Sequence, residues 1–226
     1  MSMRDELKEQ RKKTSAMTIK ERLQNYWYYH KMHTFIGIVV GIVLVFMIQD
    51  FISANKESVF EMALFNTEVA TVDEDFIDGF AQKIGMDPKK QDLFFDNSYA
   101  ISLGDSVAMN PATIASAQKM MAMVQVGDLD AILGLSDVID YYTKNNFIAN
   151  LNDFMSPEKL AAYEESDQIY YATLEDGTKM PAGIILQDSE KIEALGLYHT
   201  GTPILSFSIT ATHIDNTLAF LDYIYE

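Results

Sequence analysis

Several small groups of residues in this chain could do chemistry, and each competes with a structural explanation. Asp73, Glu74, Asp75 and Asp78 crowd carboxylates at the density a cation site needs. They also open an apolar-periodic helix, where acids complement the helix dipole, and they lack the Gly and the closing Glu of a calcium loop. Asp128 and Asp130 form an Asp-x-Asp pair of the kind that holds a metal-bound phosphate, yet they follow Gly127 in a turn, where Asp is ordinary. Gly104-Asp105-Ser106 is not the Gly-x-Ser-x-Gly of a nucleophile turn, and His199 and His213 have no evident triad partners. His30-x-x-His33 places two imidazoles on one helix face without a third ligand beside them. The methionines at 109, 120, 121 and 123 read as core filling, and Tyr141, Tyr142, Tyr170 and Tyr171 as half-buried aromatics. The absence of Cys excludes disulfides, zinc-cysteine and iron-sulfur sites and thiol catalysis. No glycine-rich phosphate loop is present. The expectation is a protein without a catalytic set, metal or cofactor.

The elements that would position such groups are divided by charge. Residues 1–33 hold 8 Lys and Arg against 4 Asp and Glu, whereas residues 49–226 hold 9 against 29, within a net charge of −16. An acidic chain of this kind is not a sequence-independent nucleic-acid binder, which needs excess Lys and Arg for phosphates. Between the two regions, Phe35–Ile48 carries no charge at all. Those residues rise only about 21 Å as a helix, against a bilayer core of about 30 Å. A helix from Trp27 to Ile52 closes the difference, with Tyr26, Trp27, Tyr28 and Tyr29 as an interfacial belt. The stretch is apolar on every face, unlike a core helix, and its long charged lead and weak cleavage site (Ile52-Ser53-Ala54) argue against a removable signal peptide. Arg4, Lys8, Arg11, Lys12, Lys13, Lys20, Arg22 and Lys31 precede it, so the positive-inside rule predicts a cytoplasmic N-terminus and an extracytoplasmic C-terminal domain. Gly37-x-x-x-Gly41 is the small-residue pattern through which two such helices dimerise. The organisation expected is a basic tail and juxtamembrane helix over 1–33, a signal-anchor over 34–52, a stalk over 53–58 and an extracytoplasmic domain over 59–226. An exported domain without Cys suits a bacterial cell surface.

The outer domain alternates strands and helices. Val59–Phe65 and Leu93–Phe95 read as strands, with a helix between them opened by a capping box at Thr71-x-x-Glu74 and carrying Phe76, Ile77, Phe80 and Ile84 inward. Asn110-Pro111 opens a helix expected to face Ile114, Ala117, Met121 and Val124 inward and to stop at Gly127. Ala131–Leu135 is a short buried strand, and Ser136 is expected to cap the next helix. Ser156-Pro157-Glu158 starts another helix, Asp176-Gly177 joins a hairpin, and Gly196 ends a short helix. A strand over Ile204–Ile209 and a closing helix capped by Thr212-x-x-Asp215 complete the chain. The β-α-β-α-β-α order predicts an α/β fold with a doubly wound, mostly parallel sheet.

Three stretches, GDLDAILGLSDVIDYYTKNNFIANLNDF (127–154), LEDGTKMPAGIIL (174–186) and NTLAFLDYIYE (216–226), resemble the first lobe of extracellular solute-binding proteins of bacterial ABC importers. In that family the chain after the hinge proline builds a second lobe. Here Leu186 and Ile204 lie too close in sequence for one, so the resemblance implies a single periplasmic-binding-protein-like lobe on a membrane anchor.

For any ligand, the open-sheet rule selects the carboxyl ends of the strands. The candidates there are Asn66 and Thr67 after the first strand, Asn97 and Ser98 after the second, and Ser136 and Asp137 after the third. The function expected is a membrane-anchored, non-enzymatic interaction or accessory module whose partners are the bilayer and another membrane or surface protein. The alternative is a small-solute receptor that delivers its ligand to an ABC permease or a sensor.

Overall fold

A computed structural model describes residues 18–54, 56–103 and 110–226. The basic tail as far as residue 17, the Gly104-Asp105-Ser106 stretch and Met109 lie outside the described residues, as does the side chain of His30. The chain divides into two units, Met1–Asn55 and Lys56–Glu226.

Among its described residues the first unit holds one helix, α1 (Ile19–Ala54), of 36 residues. At 1.5 Å per residue it extends about 54 Å, long enough to cross a bilayer. Its most apolar window, Lys31–Ile48, has a mean hydropathy of 2.2 and is exposed. A Cβ added at Gly37 or Gly41 would meet nothing within 4 Å. The helix continues through Ser53 and Ala54, so the segment read as a stalk is shared between its last turn and the first strand.

The second unit is built on one six-stranded sheet. In chain order its elements are β1 (Glu57–Phe65), α2 (Glu74–Lys83), β2 (Gln91–Tyr99), α3 (Pro111–Val126), β3 (Ala131–Gly134), α4 (Ser136–Lys144), a 3₁₀ turn (Leu151–Asp153), α5 (Pro157–Glu165), β4 (Ile169–Thr173), β5 (Lys179–Ile185), α6 (Glu190–Leu195), β6 (Ile204–Phe207) and α7 (Ile214–Ile224). The strand order is β2-β1-β3-β6-β5-β4. β1 pairs in parallel with β2 and β3, but β6 is antiparallel to β3, and β5 and β4 continue antiparallel. The expectation of a mostly parallel sheet therefore fails beyond β3. The physical cause is the Asp176-Gly177 turn. Gly177 takes φ 84°, and Asp176 Oδ1 accepts the Thr178 N–H at 2.9 Å, which folds β4 back onto β5 with no crossover between them. β6 then enters between β5 and β3, its four residues fully covered.

Side-chain alternation gives the sheet two cores. On one face Phe60, Met62 and Leu64 of β1 meet Phe76 and Phe80 of α2 and Phe220 and Leu221 of α7. Aromatic rings dominate this core, with Phe60 5.1 Å from Phe80 and 5.8 Å from Phe220 between centroids. On the other face Ala63, Phe65 and Ile132 pack with Met120 of α3 and Val138, Ile139 and Tyr142 of α4.

The local signals hold in part. Asn110 Oδ1 accepts the Ala112 N–H with Pro111 in the first turn, Ser156 caps α5, and Gly127 and Gly196 end their helices in the left-handed conformation. Three caps differ. Asp73, not Thr71, accepts from Asp75 and Phe76 at the start of α2. Ser136 is the first residue of α4 rather than its cap, and the cap position of α7 is His213, whose own side chain makes no cap hydrogen bond. The face of α3 differs in part from the one expected: Thr113, Ser116 and Met120 are buried and Val124 packs against the core, while Ile114 and Met121 are about half exposed at 45% and 53%. The hydroxyls decide this. Ser116 Oγ accepts the Ala100 N–H at 2.8 Å and Thr113 Oγ1 the Ser102 N–H at 3.1 Å, satisfying backbone donors beyond the end of edge strand β2.

Candidate functional site

The chain leaves β1 toward one face of the sheet, through α2, and leaves β3 toward the other, through α4. Between the carboxyl ends of these two parallel neighbours lies the crevice where open α/β sheets hold ligands. In this protein Tyr198 occupies it. Its hydroxyl donates to Phe65 O at 2.8 Å and reaches Leu133 O at 3.3 Å, the last turns of backbone on β1 and β3. Burial drives this phenol well above its usual range, so it remains a donor. The flanking residues are stitched down as well: Glu68 N–H donates to Leu197 O at 3.0 Å, and His199 N–H to Glu68 Oε1 at 3.1 Å. His199 Nε2 lies 3.4 Å from Glu68 Oε2. Gly196, at φ 59°, turns the chain out of α6 into this plug.

Of the six residues selected from the sequence, Asn97 and Ser98 lie within β2 rather than after it, because the strand runs on to Tyr99, and most of the six are committed to the fold. Asn66, at φ 55°, both donates to Ile101 O and accepts from Ile101 N, each at 2.8 Å. Asn97 Nδ2 donates to Val69 O at 3.0 Å, and Ser98 Oγ accepts Lys119 Nζ at 2.9 Å. Asp137 Oδ1 accepts the Val138 N–H at 2.9 Å, while the Ser136 carbonyl accepts the Tyr170 hydroxyl at 3.4 Å. Thr67 differs: its hydroxyl is buried with no partner among the described residues.

Beside the plug, at the same end of the sheet, is a pocket of about 240 Å³. Leu186, Ile192, Leu197 and Pro203 form its buried floor, and Asp188 and Glu193 stand exposed at its rim. It is smaller than the several hundred cubic ångströms usual for a drug-sized ligand.

A second concentration of polar groups lies at the amino ends of the strands. Asp130, fully buried, accepts N–H bonds from Glu61 at 3.0 Å, Thr212 at 3.1 Å and His213 at 2.8 Å, and its Oδ2 lies 3.1 Å from His213 Nδ1. The carboxylate of Asp130, the residue just before β3, thus supplies the N-terminus of α7 with the cap that Thr212 was expected to provide. Next to it, Glu61 faces the α3 side of the sheet at 9% exposure. Burial first, then the nearby Asp96 and Asp128, push its carboxyl up to about 7, against a partial opposing pull from Lys119. Asp96 moves the other way: although burial raises it, hydrogen bonds from Lys119 and Ser98 hold it below the usual range.

Sequence inspection missed both Tyr198 and the Asp130–His213 pair. Asp130 was visible only as half of a turn-like Asp-x-Asp, and no local pattern links it to a histidine 83 residues away. Among the described residues no group of three or more His, Asp and Glu side chains is placed to hold a metal ion. The four-acid cluster at 73–78 serves the start of α2, where Asp73 is the cap.

No protein-family model, curated protein or solved structure matches the chain.

Proposed function

We propose that this chain is a membrane-anchored interaction module: α1 holds it in a bilayer with the N-terminus cytoplasmic, and the domain from Lys56 onward binds a partner protein outside. The observation that carries this reading is Tyr198 in the crevice between β1 and β3. An α/β domain that captures solutes needs that crevice open and lined by free polar groups, and here the chain's own phenol spends it on backbone carbonyls. The resemblance to one lobe of a solute-binding protein supports the same reading. A receptor gains affinity by closing two lobes around its ligand, and a single lobe supplies only one side of those contacts.

Calorimetry on the purified domain against amino acids, sugars and oligopeptides tests this. No such solute is expected to bind more tightly than roughly 100 µM, or about −5.5 kcal/mol. One with micromolar affinity for the monomer would overturn the module and establish the alternative, a small-solute receptor serving a permease or sensor. The pocket at the carboxyl edge is the observation that keeps this second reading in view.

A further inference from the structure

The outer face of α3 carries no charge, in a domain where residues 49–226 hold 9 Lys and Arg against 29 Asp and Glu. Lys119 is the one charged residue of the helix, and it turns toward β2. Its Nζ donates to Asp96 and, at 2.9 Å, to Ser98 Oγ, and lies 4.7 Å from the centroid of the Tyr99 ring. Thr113, Ser116 and Met120 fix the opposite side of the helix to the sheet. What faces outward is Ile114, Ala115, Gln118, Met121, Ala122 and Gln125, all exposed. A large apolar residue, an alanine and a glutamine thus recur every seven positions, the spacing at which a helix presents one seam to a second helix. The stripe is also its own mirror. Ile114 and Ala115 stand four and three residues before Gln118, and Met121 and Ala122 three and four after it.

We propose that two copies of this chain pair through α3, helix against helix and antiparallel, about a two-fold axis at Gln118. A two-fold contact needs a surface that complements itself, and a stripe symmetric about its centre provides one; a foreign partner would not require that symmetry. Antiparallel α3 helices set Ile114 and Ala115 of one copy level with Met121 and Ala122 of the other, twice over. Each layer then holds two large and two small side chains, and the alanines let the helices approach closely. At the centre the two Gln118 amides meet, each able to donate and to accept. Opposed helix dipoles favour this direction over a parallel one. Charge selects the face: across most of the domain two copies would bring carboxylates together, whereas α3 meets α3 without charge. One helix pair buries less than the roughly 1,600 Å² of a standard interface, so the pairing depends on copies confined to one membrane, which raises their effective concentration. The inference goes beyond the module reading and shares with it only the anchor.

The chain has no Cys, so single introduced thiols report the pairing in the full-length protein reconstituted into liposomes. At an interaxial distance of about 8–10 Å, Gln118→Cys brings its own Cα and that of the second copy to about 5 Å, which suits a disulfide. Ala115→Cys and Ala122→Cys each leave like positions about 9 and 12 Å apart along the axis, out of reach, but nearly level with one another across the pair. Under mild copper–phenanthroline oxidation, Gln118→Cys should form covalent dimer at least tenfold faster than Ala115→Cys or Ala122→Cys alone. Those two variants mixed should link at least fivefold faster than either by itself. Adding Met121→Glu to Gln118→Cys should slow its linking at least tenfold, and because Met121 is exposed the fold is kept. Gln118→Cys that stays monomeric, Ala115→Cys or Ala122→Cys that links as fast by itself, or linking untouched by Met121→Glu would each overturn the proposal. A tight solute in the calorimetric screen would sink the module reading and leave this pattern of links in place.

Discussion

Glu61 offers the sharpest check on the energetics of the domain. Its carboxyl sits against α3, 9% exposed, with Asp96, Asp128 and Asp130 adding to the burial penalty and only Lys119 opposing it. Its pKa is raised from 4.5 to about 7. The folded state therefore holds this proton more tightly than the unfolded chain does. The stability that comes with protonation is present below about pH 4.5 and is lost as pH rises toward 7. A difference of about 2.5 pK units corresponds to about 3 kcal/mol at 1.36 kcal/mol per unit. Glu61→Gln keeps the shape and removes the ionisation, so above pH 8 it should stabilise the domain by about 3 kcal/mol, and at pH 4.5 by less than about 0.5 kcal/mol. Urea unfolding of the Lys56–Glu226 fragment, which contains both hydrophobic cores, measures this at the two pH values. Subtracting wild type from variant cancels the opposite pH dependence of carboxylates such as Asp96. A variant no more stable than wild type at pH 8.5, or a difference independent of pH, would refute the assignment of Glu61 as a destabilised buried acid.

Three further outcomes follow from the same contacts. Asp130→Ala leaves the N–H groups of Glu61, Thr212 and His213 without their acceptor and should cost about 3 kcal/mol in urea unfolding at pH 7; a loss below about 1 kcal/mol would show that water replaces it. Tyr198→Phe removes the donor to Phe65 O while keeping the ring in the crevice and should cost about 1–2 kcal/mol by the same measurement, so an unchanged midpoint would mean the hydroxyl seals nothing. Protease added to intact cells should digest the domain from about residue 60 onward and spare the basic tail, and the reverse pattern would invert the proposed topology.

What could be read from the amino-acid order is what short-range chemistry controls. The uncharged run at 35–48 cannot pair its surface with water on any face, and it lies within a single long helix. Asn110-Pro111, Ser156-Pro157, Gly127, Gly196 and Asp176-Gly177 act through bonds spanning two to five residues, so each placed its helix end or turn without help from the rest of the chain. The near-continuous apolar run of β1 and the spacing of Phe76 and Phe80 likewise identified core positions.

Tertiary structure decided everything that depends on partners far apart in the chain. The helix at 111–126 is apolar on both sides, so periodicity chose one face and the backbone donors of Ala100 and Ser102 chose another. The run at 204–207 is apolar but for Ser206 and would suit a parallel or an antiparallel strand. Its direction was set by the hairpin beside it and the gap it fills between β5 and β3. The cap of α7 comes from Asp130, 83 residues earlier, and the seal on the β1–β3 crevice comes from Tyr198, 133 residues after the carbonyl it binds. A carboxylate or phenol in sequence declares its chemistry but not its neighbour. Composition and spacing could therefore mark where a ligand would sit on such a sheet, while only the folded chain could show that one of its own side chains already sits there.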